Sequence, residues 1–106
     1  MAKELICINN KFPPDYLAFY KQHGVIIPEQ DNIYSVRSIS KNSNGDWEIL
    51  LNEIINPEVP IKHPILGIAH KEPAWKVSRF ANLDQSSISQ EEIDEIKKET
   101  KLVNTN

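Results

Sequence analysis

Residues 47–57, WEILLNEIINP, form the most apolar run in the chain. A short apolar run that is bounded by turn residues is typical of a buried strand. We therefore predict a strand from Trp47 to Ile55 and place it centrally in a sheet. Asn56-Pro57 follows the run and ends it, because proline cannot donate a hydrogen bond to a ladder.

Two further strands are predicted before this run. Ile33 to Ser40 alternates apolar and polar residues as a half-buried strand does, and Ile39 breaks the alternation in a way that fits a bulge or a twist. Asn44-Gly45 then predicts a tight hairpin turn, since a type I′ turn needs two residues with positive φ. Lys3 to Asn9 carries an apolar run and predicts the first strand.

A short helix is predicted between the first two strands. Pro13-Pro14-Asp15 opens it, and Gly24 is a typical left-handed stop. Tyr16, Phe19 and Tyr20 fall at i, i+3 and i+4, which places all three on one face. A helix of about two turns is unstable alone, so we expect this aromatic face to pack on the sheet or on a partner.

The region after the apolar run has an unusual composition. Residues 57–73 hold four of the seven prolines, which predicts a long ordered loop and no central strand. Its apolar segment, residues 64–69, could form a docking surface or fold over an open end of the sheet. Ala74 to Phe80 predicts a fourth strand, and Ala81 to Leu83 a short fifth one.

The tail from residue 84 is predicted to be helical. Ser89-x-x-Glu92 is a capping box, and it predicts a helix from Gln90 to Glu99. The flanking isoleucines Ile88 and Ile93 stand at the positions of a hydrophobic staple. The apolar stripe consists only of Ile93, Ile96 and Leu102, so the helix is either loosely docked or held by a partner. Residues 104–106 are expected to fray.

Four segments in this order resemble a family of small phage and prophage proteins. The segments are ICINN (6–10), IYSVR (33–37), ILLNEIINP (49–57) and EPAWKVSRF (72–80). The resemblance covers roughly residues 5–83 and implies an SH3-like β-barrel. The expected fold class is therefore mainly β, α+β by content, with about five antiparallel strands, a short inserted helix and a C-terminal helix.

The expected organisation is a barrel over residues 1–83, with the helical insert at 14–23, followed by an acidic helix and frayed tail over 84–106. The family has no established activity, so no catalytic residue carries over. The chain departs from the pattern by the insert and the tail. An individual function would have been added in those two segments.

The charge distribution disfavours a phosphate-backbone binder. Residues 1–83 hold nine basic and nine acidic residues, and residues 84–106 hold three and six, which accounts for the net charge of −3. Such binders normally show a basic patch or stripe. Cys7 is the one cysteine, so no intrachain disulfide forms. With no signal peptide or membrane-spanning run in the sequence, we expect a cytoplasmic protein.

No catalytic residue, metal site or cofactor is predicted. Cys7 lies in an apolar strand, where a thiol is usually an inert small hydrophobe. The histidines His23, His63 and His70 lack a recognised metal-ligand spacing. The three glycines are scattered and form no phosphate-binding fingerprint.

Aromatic, arginine and apolar residues are the best candidates for a binding site. They are Arg37, Trp47, Trp75 and Arg79 on adjacent predicted strands, and Ile65 and Leu66 in the apolar loop. Trp and Arg are enriched at binding hot spots. The alternative is that both tryptophans fill the core and the arginines pair with Glu48, Glu53 or Glu72.

The sequence leads to two functional hypotheses. The first is a non-enzymatic protein-interaction module of phage or mobile-element type, in its specific form an inhibitor or adaptor of a host defence nuclease, as anti-CRISPR proteins are. The alternative is an accessory protein that binds RNA or single strands through the aromatic and arginine residues. A homodimer could use an edge strand, the aromatic helix face or the tail helix. A small enzyme has the least support.

Overall fold

The computed structural model describes residues 2–63 and 65–104, with the side chains at 63 and 101–104 excepted. Its elements, in chain order, are β1 (Glu4–Cys7), α1 (Pro14–Gln22), β2 (Ile33–Lys41), β3 (Trp47–Leu51), β4 (Val59–His63), β5 (Gly67–Lys71), β6 (Trp75–Lys76), β7 (Phe80–Ala81) and α2 (Gln90–Asn104). One turn of 3-10 helix, Val77–Arg79, separates β6 from β7. The turn therefore interrupts the predicted fourth strand, and β7 joins its last residue, Phe80, to Ala81, the first residue of the predicted fifth strand.

The main sheet has five strands in the order β6-β3-β2-β1-β7, and each neighbouring pair is antiparallel. The chain is accordingly a mainly antiparallel α+β fold. The apolar strand β3 is an interior strand with neighbours on both sides, although the middle position belongs to β2. β3 also ends at Leu51, four residues before the predicted Ile55. After Leu51 a side chain replaces the backbone as the partner of β2. The Glu53 carboxylate accepts hydrogen bonds from the backbone N–H and the hydroxyl of Ser35.

The sheet is strongly curled. In a flat sheet, the edge strands β6 and β7 would lie about 19 Å apart, at about 4.8 Å per strand. They are joined by one 3-10 turn, which rises only about 6 Å. The opposite edges must therefore approach each other. Among the described residues no ladder joins β6 to β7, so closure into a barrel is not found.

The β2–β3 hairpin departs from its predicted geometry. The bulge is present, as a register shift between Val36 and Ser38. The turn is not type I′, because its only residue with positive φ is Gly45. Gly45 N–H donates to Asn42 O at 3.0 Å, and Asn42 N–H donates to Asp46 O at 2.8 Å. This is a three-residue loop with a left-handed glycine at its end.

Residues 57–73 contain a second hairpin where an ordered loop was predicted. β4 pairs with β5 from Val59↔Lys71 to His63↔Gly67. Pro60 is tolerated because each strand of an isolated pair commits only alternate backbone groups to the ladder. Ile65 and Leu66, which follow β4, are 86% and 70% exposed, so this segment does not cover the end of the sheet.

Both helices form where predicted. α1 has Pro14 in its first turn and ends before Gly24, whose φ is +70°. α2 begins with the predicted capping box, in which Glu92 N–H donates to Ser89 Oγ and Ser89 N–H donates to Glu92 Oε1. It runs to Asn104, five residues past the predicted end. The predicted fraying of residues 105 and 106 lies outside the described residues.

The sheet and α2 share one hydrophobic core. Its buried members are Leu5, Cys7, Tyr34, Val36, Ile49, Leu51, Ile54, Trp75, Val77, Phe80, Ile93 and Ile96. The last two come from α2, which packs against β2. α2 therefore docks on its own sheet. The side chain of Leu102, the third predicted member of its stripe, lies outside the described part.

Candidate functional site

Arg37, one of the predicted binding residues, is engaged in bonds within the fold. Its guanidinium donates to both carboxylate oxygens of Glu72, at 3.0 and 2.7 Å. It also donates to the carbonyls of Leu51 and Ile54. These hydrogen bonds hold the pKa of Glu72 below its usual range. The pairing matches the alternative in which the arginines bind acidic neighbours and not a ligand.

Arg79 also makes its contacts within the fold. Its guanidinium carbon lies 3.8 Å from the ring centroid of Phe12. One of its nitrogens donates to the carbonyls of Asn9 and Lys11, at 3.2 and 2.9 Å. Arg79 therefore fastens the segment before α1 to the 3-10 turn.

The two tryptophans lie in different environments. Trp75 is only 2% exposed and contacts Phe12 and Tyr20 edge-on, with ring centroids 5.8 and 5.7 Å away. Trp47 is half-buried, and the ammonium groups of Lys41 and Lys97 lie 5.2 and 4.8 Å from its ring centroid. The four strand residues thus do not form one exposed aromatic platform.

The titratable groups offer little nucleophilic chemistry. Cys7 is buried, and desolvation raises the pKa of its thiol, so it stays protonated near neutral pH. Across the described residues there is no cluster of three histidine, cysteine or carboxylate side chains that could hold a metal ion.

The structure does contain a groove, which we call the α1–β4 groove. It encloses about 810 Å³ between α1, the β4–β5 hairpin and the β2–β3 turn. Its lining residues are Asp15, Tyr16, Phe19, Tyr20, Lys41, Asn42, Ser43, Glu48, Val59, Pro60, Ile61, Lys62, Ala69, Lys71, Pro73 and Ala74.

The aromatic face of α1 forms one wall of this groove. Tyr20 anchors the wall, with its ring 5.5 Å from Phe12 and 5.7 Å from Trp75. Desolvation raises the pKa of Tyr20, so its hydroxyl stays neutral. Tyr16 lies 6.5 Å from Tyr20 and is 57% exposed, so much of its ring faces solvent. The predicted aromatic face is therefore partly packed against the core and partly exposed to solvent.

The groove carries charges of both signs, with more positive than negative side chains. Lys41, Lys62 and Lys71 line it together with Asp15 and Glu48. In the described part of the chain, none of the three lysines forms an ion pair. A ligand with an apolar part and a negative charge would match this lining.

Sequence reasoning found one wall of the groove and missed the other. The spacing of Tyr16, Phe19 and Tyr20 is a local signal. Pro60 and Lys62 could not be assigned to the same site, because their position depends on how the hairpin packs against the rest of the fold.

No described helix combines the length and the apolar character that crossing a membrane requires. Comparison of the chain with protein-family models, curated proteins and solved structures finds no significant match.

Proposed function

We propose that this protein is a non-enzymatic interaction module whose α1–β4 groove binds a segment of a partner protein. The segment would present an apolar side chain beside a carboxylate. The observation that carries the proposal is the half-exposed aromatic face of α1, which faces β4 across the groove. Tyrosine is enriched at binding hot spots because it offers a large contact area and a polar end.

The lining favours protein over nucleic acid. Ile61 and Ala69 give the groove aliphatic surface, which has no π-face for a base to stack on. Asp15 and Glu48 would repel phosphates, and the region to residue 83 has no net charge. The alternative, RNA or a single strand, is favoured by Tyr16 and the three lysines, since such binders combine stacking rings with cations.

The proposed context is a small SH3-like barrel of phage or prophage type, cytoplasmic and without a cofactor. The strong curl of the five-stranded sheet supports the barrel. The groove uses α1, one of the two segments that the family pattern lacks, which supports an acquired individual function. In its specific form, we propose an inhibitor or adaptor of a host defence nuclease.

The test is affinity capture from host lysate with tagged protein, with and without nuclease treatment. We expect a protein partner that survives nuclease. Tyr16→Ala and Lys62→Glu should each weaken its binding, by about tenfold or more for the tyrosine. Leu17→Ala, on the same helix but outside the groove, and Lys98→Glu, on α2, are the matched controls and should bind normally.

Two results would contradict the proposal, and a third would exclude its inhibitor form. A partner lost on nuclease treatment would indicate RNA or single-strand binding. Equal capture by all four variants would place the binding site elsewhere. If the captured partner is a nuclease whose activity is unchanged by saturating protein, an inhibitor role is excluded and an adaptor role remains.

A further inference from the structure

The outer edge of β5 is a long strand edge with no described ladder partner. The main sheet ends in β6 and β7, which are two residues long each. β4 carries Pro60, which lacks a donor, and Lys62. Prolines, lysines and short strands are common ways to prevent edge-to-edge pairing. β5 is five residues long, has no proline, and carries one lysine at its end.

The β4–β5 hairpin is also an incomplete sheet. Its two strands pair only with each other among the described elements. A two-stranded hairpin is marginally stable by itself, and a third strand improves its stability. Val59 anchors one end in the protein interior, while Ile68 on β5 is 64% exposed. The exposed edge therefore combines unpaired backbone with an apolar side chain.

We propose that β5 pairs antiparallel with β5 of a second copy of this chain, about a twofold axis at Ala69. This register overlaps the whole strand. It places Ile68 opposite His70 of the second copy, and Gly67 opposite Lys71. No two like charges face each other directly, which is the arrangement that cross-strand pairing requires. The contact is self-complementary, as a twofold interface must be.

A second copy satisfies the charge requirement of this pairing. Lys71 is the one lysine, arginine or carboxylate residue of β5, and the pairing sets it against a glycine with no side chain. The paired surface is one strand wide, so we expect a weak dimer that depends on protein concentration. The result is a four-stranded sheet across the two copies.

We expect the dimer to leave the α1–β4 groove open. The groove is lined by the described residues 59–62 of β4, and from β5 only by Ala69 and Lys71. The edge proposed for pairing lies on the other side of the hairpin from β4. A dimer would thus carry two grooves and could bind a partner with two sites more tightly than one copy does.

The first measurement is the molar mass in solution, by sedimentation or light scattering, from about 10 µM to about 1 mM protein. We expect the mass to rise from that of one chain toward that of two. Over the same range, amide hydrogen exchange at residues 67–71 should slow. A mass of one chain at every concentration would overturn the proposal.

A charge-swap pair tests the register. The double variant Ile68→Lys with His70→Lys places lysine opposite lysine on both sides of the axis, and should weaken dimerisation about tenfold. The double variant Ile68→Glu with His70→Lys places glutamate opposite lysine and should restore it. Both variants alter the same two exposed positions, and far-UV circular dichroism checks that both fold.

Dimerisation that is equal in both variants would overturn this register. Tyr16→Ala provides the control for the groove, because it should leave dimerisation unchanged. Failure of the groove proposal and failure of the dimer proposal are therefore distinguishable. A dimer that persists in the lysine double variant but is lost in Tyr16→Ala would assign the interface to the groove instead.

Discussion

At the scale of single residues, Glu92 links three parts of the molecule. Its carboxylate accepts hydrogen bonds from Ser89 N–H at 3.0 Å and from Asn82 Nδ2 at 3.1 Å. Lys3 Nζ lies 3.4 Å from its other oxygen. The Ser89 backbone bond is the main reason that the pKa of Glu92 falls from 4.5 to about 2. One side chain thus caps α2 and ties it to the residues next to β1 and β7, which are neighbours in the sheet.

This pKa predicts an acid-dependent loss of stability. The folded pKa is lower than the unfolded one, so the contribution is complete above pH 4.5 and is lost as pH falls toward 2. Glu92→Gln retains an oxygen that can accept from Ser89 but loses the charge. We expect the variant to be about 1 kcal/mol less stable than wild type at pH 7. Urea unfolding at both pH values measures the difference.

At pH 2 the difference between wild type and Glu92→Gln should largely vanish, because the wild-type carboxyl is then half protonated or more. Glu91→Gln is the matched control, since Glu91 is also in the first turn but is exposed. It should change stability by only a few tenths of a kcal/mol. A deficit for Glu92→Gln that is the same at both pH values would contradict the assignment.

At the scale of elements, α2 shows which features a sequence can specify. Its start follows from the capping box, whose two hydrogen bonds join residues three apart. The docking of α2 cannot be predicted from its own sequence, because the burial of Ile93 and Ile96 depends on the face that β2 presents. Its two described apolar members, Ile93 and Ile96, are both buried, which is enough to place α2 in the core.

Ile96→Ala tests that docking. Ile96 is 2% exposed within the shared core. Truncating a buried isoleucine removes apolar contact and leaves a cavity, so we expect a loss of about 2–4 kcal/mol. Lys98→Ala, exposed on the same helix, should have little effect. The free energy of unfolding in urea measures both, and equal values for the two variants would show that α2 is not part of the folded core.

The strands show where local reasoning fails. β2 was predicted closely because its alternation of buried and exposed residues is local. β3 was predicted too long, because Ile54 is apolar and buried yet lies outside the ladder. The β4–β5 hairpin was missed because Pro60 argues against a strand, and the argument applies only where a strand has neighbours on both sides. The groove was missed because its two walls, α1 and β4, are about 40 residues apart in sequence.

At the scale of the whole molecule, the sheet and α2 should unfold together. Trp75 from β6 and Ile96 from α2 belong to the same core cluster. Lys97 on α2 also lies 4.8 Å from the ring of Trp47 on β3. A helix held only by a partner would instead melt separately, at low denaturant. The two arrangements therefore differ in the cooperativity of unfolding.

Trp47→Phe makes Trp75 the sole tryptophan, so its fluorescence reports on the sheet core alone. Far-UV circular dichroism reports mainly on the helices, of which α2 is the longer. For a two-state domain the two signals give one midpoint and one slope against denaturant. We expect this coincidence in Trp47→Phe and in its double variant with Ile96→Ala, with the midpoint of the double variant shifted to lower urea by both probes. A dichroism transition that precedes the fluorescence transition would mean that α2 is a separable segment, and its acidic face would then become the first surface to test for a partner.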